Sequence, residues 1–210
     1  VKINRVYTGG GDGGESSLVD GSRRKKSDAR FDVVGVCDEV NSWLGMVLAE
    51  LARLPDHEDG GQRTNVHRVQ TVLTEALVRV QNELFDLGAE LACPPATLPE
   101  YMVLISQAQT DVLMEEMDAW LATLPELTSF ILPAGSPPVA TMHLARTVVR
   151  RLERGLVHLV DEEGEGAVRP LALVYVNRLS DWFFVMGRWT SMMLNEEEAL
   201  WVPLGKRPAE

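Results

Sequence analysis

Between Gln62 and Ala92 runs QRTNVHRVQTVLTEALVRVQNELFDLGAELA. Val66, Val69, Leu73, Leu77, Val80, Leu84, Leu87 and Leu91 fall three or four residues apart in it. That spacing puts them on one face of a helix at 3.6 residues per turn, a continuous buried stripe. Pro94, Pro95 and Pro99 follow at once. Proline lacks the backbone N–H and clashes with the preceding turn, so the helix stops there.

The same texture extends to both sides. Upstream, a helix is predicted from about Phe31 to Leu54, halted by Pro55, with a polar link at Asp56–Gly61. Downstream, helices are predicted over about Met102–Leu124, Val139–Glu163 and Val168–Leu194. The connections are the proline-rich stretch Glu126–Pro138 and the turn Gly164–Gly166. Long helices with short links imply an all-α fold, a five-helix up-down bundle. Residues 1–29 read differently, with six glycines between Gly9 and Gly21 and the basic run Arg23, Arg24, Lys25, Lys26. Glycine at that density breaks helices and weakens strands. The organisation expected is a glycine-rich segment, 1–29, belonging to the same domain as the bundle, 30–194, and a tail, 195–210. The tail holds Trp201 and Pro203 and shows no period.

Of the 210 residues, 45% are hydrophobic and 24% charged, a globular balance. Lys plus Arg is 20 against 31 acids, a net charge of −11. Such an acidic chain is not expected to bind nucleic acid or anionic membrane. No run approaches 18 apolar residues and no apolar signal core opens the sequence. Two cysteines, Cys37 and Cys93, cannot form a disulfide framework. The expectation is a soluble, cytoplasmic protein.

On the fourth helix, Leu144, Ala145, Val148, Val149, Leu152, Leu156 and Leu159 share an apolar arc at about 100° per residue. His143, Arg146, Arg150, Glu153 and Arg154 share the opposite, polar arc. A solvated charged face is the plain reading. Against it stands the clustering of arginines in an acidic protein, because the guanidinium fork matches phosphate geometry. On the fifth helix Asn177, Ser180, Asp181 and Phe184 share a face, and Arg178 can pair with Asp181. On the first, Asp38, Asn41 and Gly45 share one. The segment YTGGGDGGESS, Tyr7–Ser17, offers backbone N–H groups with little side-chain cover. It can cradle phosphate or serve as a linker. No GK[ST] follows it, no H-E-x-x-H or G-x-S-x-G occurs, and the four histidines have no metal-ligand spacing. What remains suits a polyphosphate and includes no obvious protein nucleophile.

Several motifs together resemble one family. VYTGGGDGGESS, KKSDAR, VCDEVNSWLG, LFDLGAELA, SFILPAGS, MHLARTVVRRLER and YVNRLSDWFFVMGR stand in the order found in PduO-type ATP:cob(I)alamin adenosyltransferases, over about residues 3–190. The resemblance implies a five-helix bundle and a homotrimer with active sites between subunits. It implies transfer of the 5′-deoxyadenosyl group of ATP to the cobalt of reduced cobalamin, with release of triphosphate. Cobalt is then the nucleophile, and the protein supplies binding, orientation and charge.

Residue by residue, the resemblance implies that Thr8, Gly10, Gly11, Asp12, Gly14 and Ser16 wrap the triphosphate, with Mg²⁺, and that Lys26 and Arg30 add charge. Arg150, Glu153 and Asn177 would complete the ATP site. Arg146 would pair with Asp38 of a neighbouring subunit beside the cobalamin pocket, and Phe130 would lie under the corrin and exclude the lower axial ligand. A flavoprotein reductase and a B12-dependent enzyme are the partners it implies. Two positions depart from the family: Gly9 stands where Arg or Lys is usual, and Ala134 replaces the first glycine of LPGG. The alternatives are an ATP- or cobalamin-binding module with little turnover and a purely structural helical trimer. For Phe130 the alternative is a plug for the bundle end.

Overall fold

The computed structural model describes residues 7–55 and 62–206. Its five long helices are α1 (Ala29–Ala52), α2 (Gln62–Leu91), α3 (Gln107–Leu121), α4 (Pro137–Glu163) and α5 (Pro170–Met193). They alternate in direction along the chain. The polar link at Asp56–Gly61 lies outside the described residues.

Local chemistry sets the helix starts. The Asp28 carboxylate accepts the Arg30 N–H at 2.9 Å and caps α1. Pro137 and Pro170 open α4 and α5, where proline's missing N–H costs nothing. The apolar periodicity suggests that α3 starts near Met102, but it begins five residues later. The Ser106 N–H and hydroxyl both donate to Gln109 Oε1, a capping arrangement that starts the helix at Gln107. The residues before it are held extended: Glu90 Oε2 accepts the Ile105 N–H, and Arg169 donates to the Ile105 carbonyl.

Helix α4 packs against α1 and α5; α2 packs on α1 and also meets α5, and α3 packs on α5. The stripe of α2 is buried in full, from Val66 to Leu91. It meets α1 antiparallel, with Asn41 donating to the Gln81 carbonyl and Gln70 to the Leu51 carbonyl. Arg79 of α2 bridges Glu83 and Glu116 of α3, while Tyr175 and Trp182 of α5 donate to those same carboxylates at 2.7 Å. Every charge in that interior network has a partner, which keeps its burial tolerable.

The alternating directions leave two ends. One gathers the start of α1, the end of α2, the end of α4 and the start of α5. The other gathers the α3–α4 loop, the start of α4, the end of α5 and the tail. Because α4 has 27 residues, the ends lie about 40 Å apart at 1.5 Å per residue.

The glycine-rich segment is more ordered than its composition suggests. Strands β1 (Glu15–Ser17) and β2 (Arg23–Lys25) pair antiparallel, Ser16 opposite Arg24. The intervening turn closes through Leu18 N–H to the Ser22 carbonyl and through Asp20, which accepts from Ser22. The tail, which shows no period, also pairs. Ile131 and Leu200 form an antiparallel bridge that joins the α3–α4 loop to it.

Candidate functional site

At the first end, Arg24 and Arg30 both grip Glu163, the last residue of α4. Burial works against the Glu163 carboxylate, but hydrogen bonds from Arg30 and Arg24 outweigh it and hold its pKa below the ordinary glutamate value. Arg30 is fully buried. Its Nη1 donates to the carbonyls of Leu91 and Cys93, its Nη2 to Glu163 and the Ala167 carbonyl, and its Nε to Glu163. All five of its donors are used inside the chain. Arg30 therefore ties α1, α2 and α4 together beneath the hairpin, and a charge it adds to a phosphate acts from below the surface and not through its own hydrogen bonds.

Above this clamp lies the glycine loop. Thr8, Gly10, Asp12 and Gly14 are exposed, and Gly11 and Ser16 are half-buried. Two turns shape it, Asp12 N–H to the Gly9 carbonyl and Gly14 N–H to the Gly11 carbonyl. Lys26 N–H closes it onto the Gly14 carbonyl at 2.8 Å, and the Lys26 amine lies 3.0 Å from where a Gly11 Cβ would stand. Arg23, the first residue of the basic run, donates to the Gly10 carbonyl at 2.9 Å. Gly9 has φ +74°, so the Arg or Lys usual at that position would be strained here. Turns of glycine beside two cations form a concave, positive surface that suits an anion.

Midway along α4, Arg150 is exposed, and Glu153 accepts from Asn177 of α5 at 2.7 Å. Glu153 and Asn177 thus join α4 to α5, and Arg150 lies one turn before Glu153 on the same helix. Arg146, one turn before Arg150, is half-buried, and its Nε is buried without a hydrogen-bond partner among the described residues. Burial and the nearby Arg150 both lower its pKa. Asp38 on α1 is exposed, and its carboxylate accepts no hydrogen bond among the described residues. A guanidinium and a carboxylate are thus each left open. The neighbouring Glu39 and Arg151 pair within the chain. Of the other expected faces, Arg178 does pair with Asp181, at 2.9 Å, whereas Asn41 turns inward to Gln81.

Two assignments on α4 reverse. His143, expected on the polar arc, is buried at 4% exposure; Leu144, expected on the apolar arc, is 48% exposed. The helix wheel counts only the neighbours of α4 within the bundle. At its first turns the tail, Glu197–Ala199, and Gly187 of α5 close over His143, and burial lowers the imidazole pKa. Leu144 lies at the margin of the apolar arc and faces out.

At the second end, Phe130 is 78% exposed, its ring edge-on to Trp201 at 6.2 Å. Between the loop and the tail runs an open groove of about 720 Å³, lined by Leu127, Phe130, Leu200, Trp201, Val202 and Pro203 among others. An aromatic, mostly apolar groove suits a flat, apolar-faced ligand. The backbone behind it is tightly tied. Trp201 N–H donates to the Phe130 carbonyl and Leu132 N–H to the Ala199 carbonyl, both at 2.7 Å, and the Ser129 hydroxyl donates to the Trp201 carbonyl. Ala134 causes no strain. Gly135 carries the unusual backbone, φ +128°, where a Cβ would stand 2.8 Å from Val139. Sequence reasoning took Arg23 only as part of a basic run and missed Arg188 and the pairing of the tail. Arg188 alone had a local signal, as a charge inside the apolar run Trp182–Trp189.

Among the described residues, no group of three His, Cys, Asp or Glu could hold a metal ion, and no helix is long and apolar enough to cross a membrane.

Comparison with known proteins gives one consistent result. The profile of the cobalamin adenosyltransferase family matches residues 6–190. The corrinoid adenosyltransferase of Mycobacterium tuberculosis is 41% identical over 210 residues, all of this chain and 98% of that one. The human corrinoid adenosyltransferase is 32% identical over 204 residues, 96% of this chain and 74% of that one. A phenylalanine-to-alanine variant of the PduO-type ATP:corrinoid adenosyltransferase from Lactobacillus reuteri, complexed with cobalamin and ATP, superposes with a TM-score of 0.78 at 29% identity, covering 94% of this chain and 99% of that one.

Proposed function

Because the chain belongs to the cobalamin adenosyltransferase family and is an ATP:corrinoid adenosyltransferase, we propose how its own residues divide the reaction between two subunits. The enzyme transfers the 5′-deoxyadenosyl group of ATP to the cobalt of reduced cobalamin. The cobalt(I) electron pair attacks C5′, a cobalt–carbon bond forms, and the C5′–oxygen bond breaks with its electrons leaving on triphosphate. No side chain has to be the nucleophile. The protein orients the two substrates and stabilises charge on the departing oxygen.

In this reading, Thr8, Gly10, Gly11, Asp12, Gly14 and Ser16 bind the triphosphate, with Lys26 above them. Arg150, Glu153 and Asn177 hold the rest of the nucleotide, with Arg150 nearest the developing charge. Arg30 supports the hairpin from beneath. Mg²⁺ would accompany the triphosphate as a hard cation that neutralises its charge, and the exposed Asp12 is the carboxylate of the loop that would help to hold it. Phe130 faces the corrin and keeps a lower ligand off cobalt. Removing that ligand lowers the half-filled cobalt orbital that takes up the electron, so cob(II)alamin is easier to reduce.

One observation carries the division between subunits. The phosphate loop and Phe130 belong to opposite ends of α4, a helix about 40 Å long, which argues against both serving one ATP–cobalamin pair from a single chain. The open guanidinium of Arg146 and the open carboxylate of Asp38 give two chains a complementary contact. The assembly we propose is a homotrimer that works in the cytoplasm with a flavoprotein reductase and a B12-dependent acceptor enzyme.

Two experiments test this. Reduced cobalamin with ATP should give bound ATP, released triphosphate and the cobalt–carbon product; ATP binding without product would reduce the chain to a binding module. Mixing Lys26→Ala chains with Phe130→Ala chains, at limiting ATP and starting from cob(II)alamin, should restore part of the activity that each has lost. Mixed assemblies would then contain some sites with both residues intact, whereas no recovery would place both residues in one subunit's site.

A further inference from the structure

Arg188 lies near the end of α5, 5% exposed, in a stretch otherwise built of Trp182, Phe183, Met186 and Trp189. A guanidinium so buried is costly without partners. Its partners are not in the bundle. Nε donates to Glu198 Oε1 at 2.9 Å, and Nη2 donates to Glu198 Oε2 at 3.2 Å and to the Pro125 carbonyl at 3.0 Å. Pro125 opens the α3–α4 loop, and Glu198 precedes Ala199–Trp201, the tail segment bonded to that loop. One side chain thus holds both strands of the Phe130 ladder at their roots.

A second carboxylate, Glu196, accepts the Ser136 N–H at 3.0 Å where the loop turns into α4. The ring of Phe130 has little packing of its own, being mostly exposed. Its direction is set by the backbone ladder to Trp201, and the ladder is anchored through Arg188. The helices themselves need none of this. The hydrophobic core contains no residue of the Phe130 loop and none of the tail beyond Leu194.

We propose that Arg188 is a positioning residue: its bidentate clamp on Glu198 locks tail and loop into one unit and fixes the pose in which Phe130 meets the corrin. The proposal rests on the reading of Phe130 as the corrin-facing residue. It makes the tail's charge, and not only its apolar side chains, a requirement for removing the lower ligand.

The test is Glu198→Gln, which keeps the shape and removes the charge, with Arg188→Lys as the conservative partner variant and Phe130→Ala run alongside. A Lys amine is a single point donor and cannot make the two-pronged contact. Four-coordinate cob(II)alamin is measured by electron paramagnetic resonance with ATP bound, together with ATP affinity, helicity and turnover of pre-reduced cob(I)alamin. Glu198→Gln is expected to cut the four-coordinate signal roughly tenfold, the scale of one charge-assisted hydrogen bond. ATP affinity should stay within about twofold and cob(I)alamin turnover should fall less than the signal, with Arg188→Lys intermediate. A Glu198→Gln protein with the full signal, beside a Phe130→Ala protein that has lost it, overturns the clamp and leaves the Phe130 reading intact. A Phe130→Ala protein that keeps the full signal overturns the Phe130 reading and the clamp with it. Parallel loss of helicity, ATP affinity and signal in Glu198→Gln would make Arg188 merely structural and also overturn the proposal.

Discussion

The two ends of α4 set the same problem, an irregular segment to be held against a helical bundle, and solve it in opposite ways. At the hairpin end, Arg30 spends every donor beneath the surface, and the glycine loop above it keeps its concave face open. At the other end, the backbone of the Phe130 loop is bonded to the tail, and the exposed element is a side chain. The first design offers a charged, adaptable surface; the second presents one rigid ring. A flexible polyphosphate wants many small donors, whereas a flat macrocycle wants a preorganised aromatic that loses little entropy on binding.

The contrast breaks most sharply at Arg30. Arg30→Met should destabilise the fold by about 3 kcal/mol, the low end for a broken buried pair because Arg24 still holds Glu163. Chemical denaturation checks this. A variant of normal stability with weakened ATP binding would return Arg30 to the phosphates. Next in size is Arg150→Ala, expected to cost roughly 10²–10³ in kcat with helicity unchanged, by analogy with losing one preorganised donor. Near-normal turnover would remove Arg150 from the site.

Lys26→Ala should sharpen the same comparison from the other side. It should weaken ATP binding about tenfold, the scale of one charge-assisted hydrogen bond, at unchanged stability, because the amine is exposed and is placed over the loop rather than in the core. Titration calorimetry against ATP and adenosine should show the loss for ATP alone.

A smaller effect is expected with pH. The Glu163 pKa is depressed in the folded state, so its stabilisation is complete above the ordinary glutamate value of 4.5 and is lost as pH falls through the lower, folded value. Hydrogen exchange at β1 and β2 should rise there, and a hairpin whose protection does not change through that range would contradict the clamp. Least affected should be Cys37, whose thiol burial pushes up to about 12, with Asp38 adding to the shift. It should resist thiol reagents at neutral pH in the native protein, and rapid labelling would contradict its burial.

The helices and their order were legible because a helix is a local object. The stripe from Val66 to Leu91 and the prolines at 55, 94, 125, 137 and 170 state it within a few residues of each other. The polar positions of Arg150, Glu153 and Asn177 were legible for the same reason, as an arc on each of two helices. Arg30 was assigned by resemblance to the phosphates, and only its surroundings show where its donors go. The late start of α3 was hidden because a helical period runs through Met102–Ser106 while Glu90 and Arg169 hold those residues extended.

By itself, then, the sequence determined the five amphipathic helices, the glycine loop with its cations and the arginine arc, since each rests on spacings of three or four residues. Only the tertiary structure decided that His143 is covered and Leu144 is not, that Arg30 gives all its donors to its own chain, that the tail bridges to the Phe130 loop, and that loop and ring stand at opposite ends of α4. Those outcomes depend on hydrogen bonds such as Ser129 to Trp201 and Arg30 to Glu163, made between residues far apart in the chain. No local period encodes such a pairing; it exists only once the bundle has brought its helix ends together.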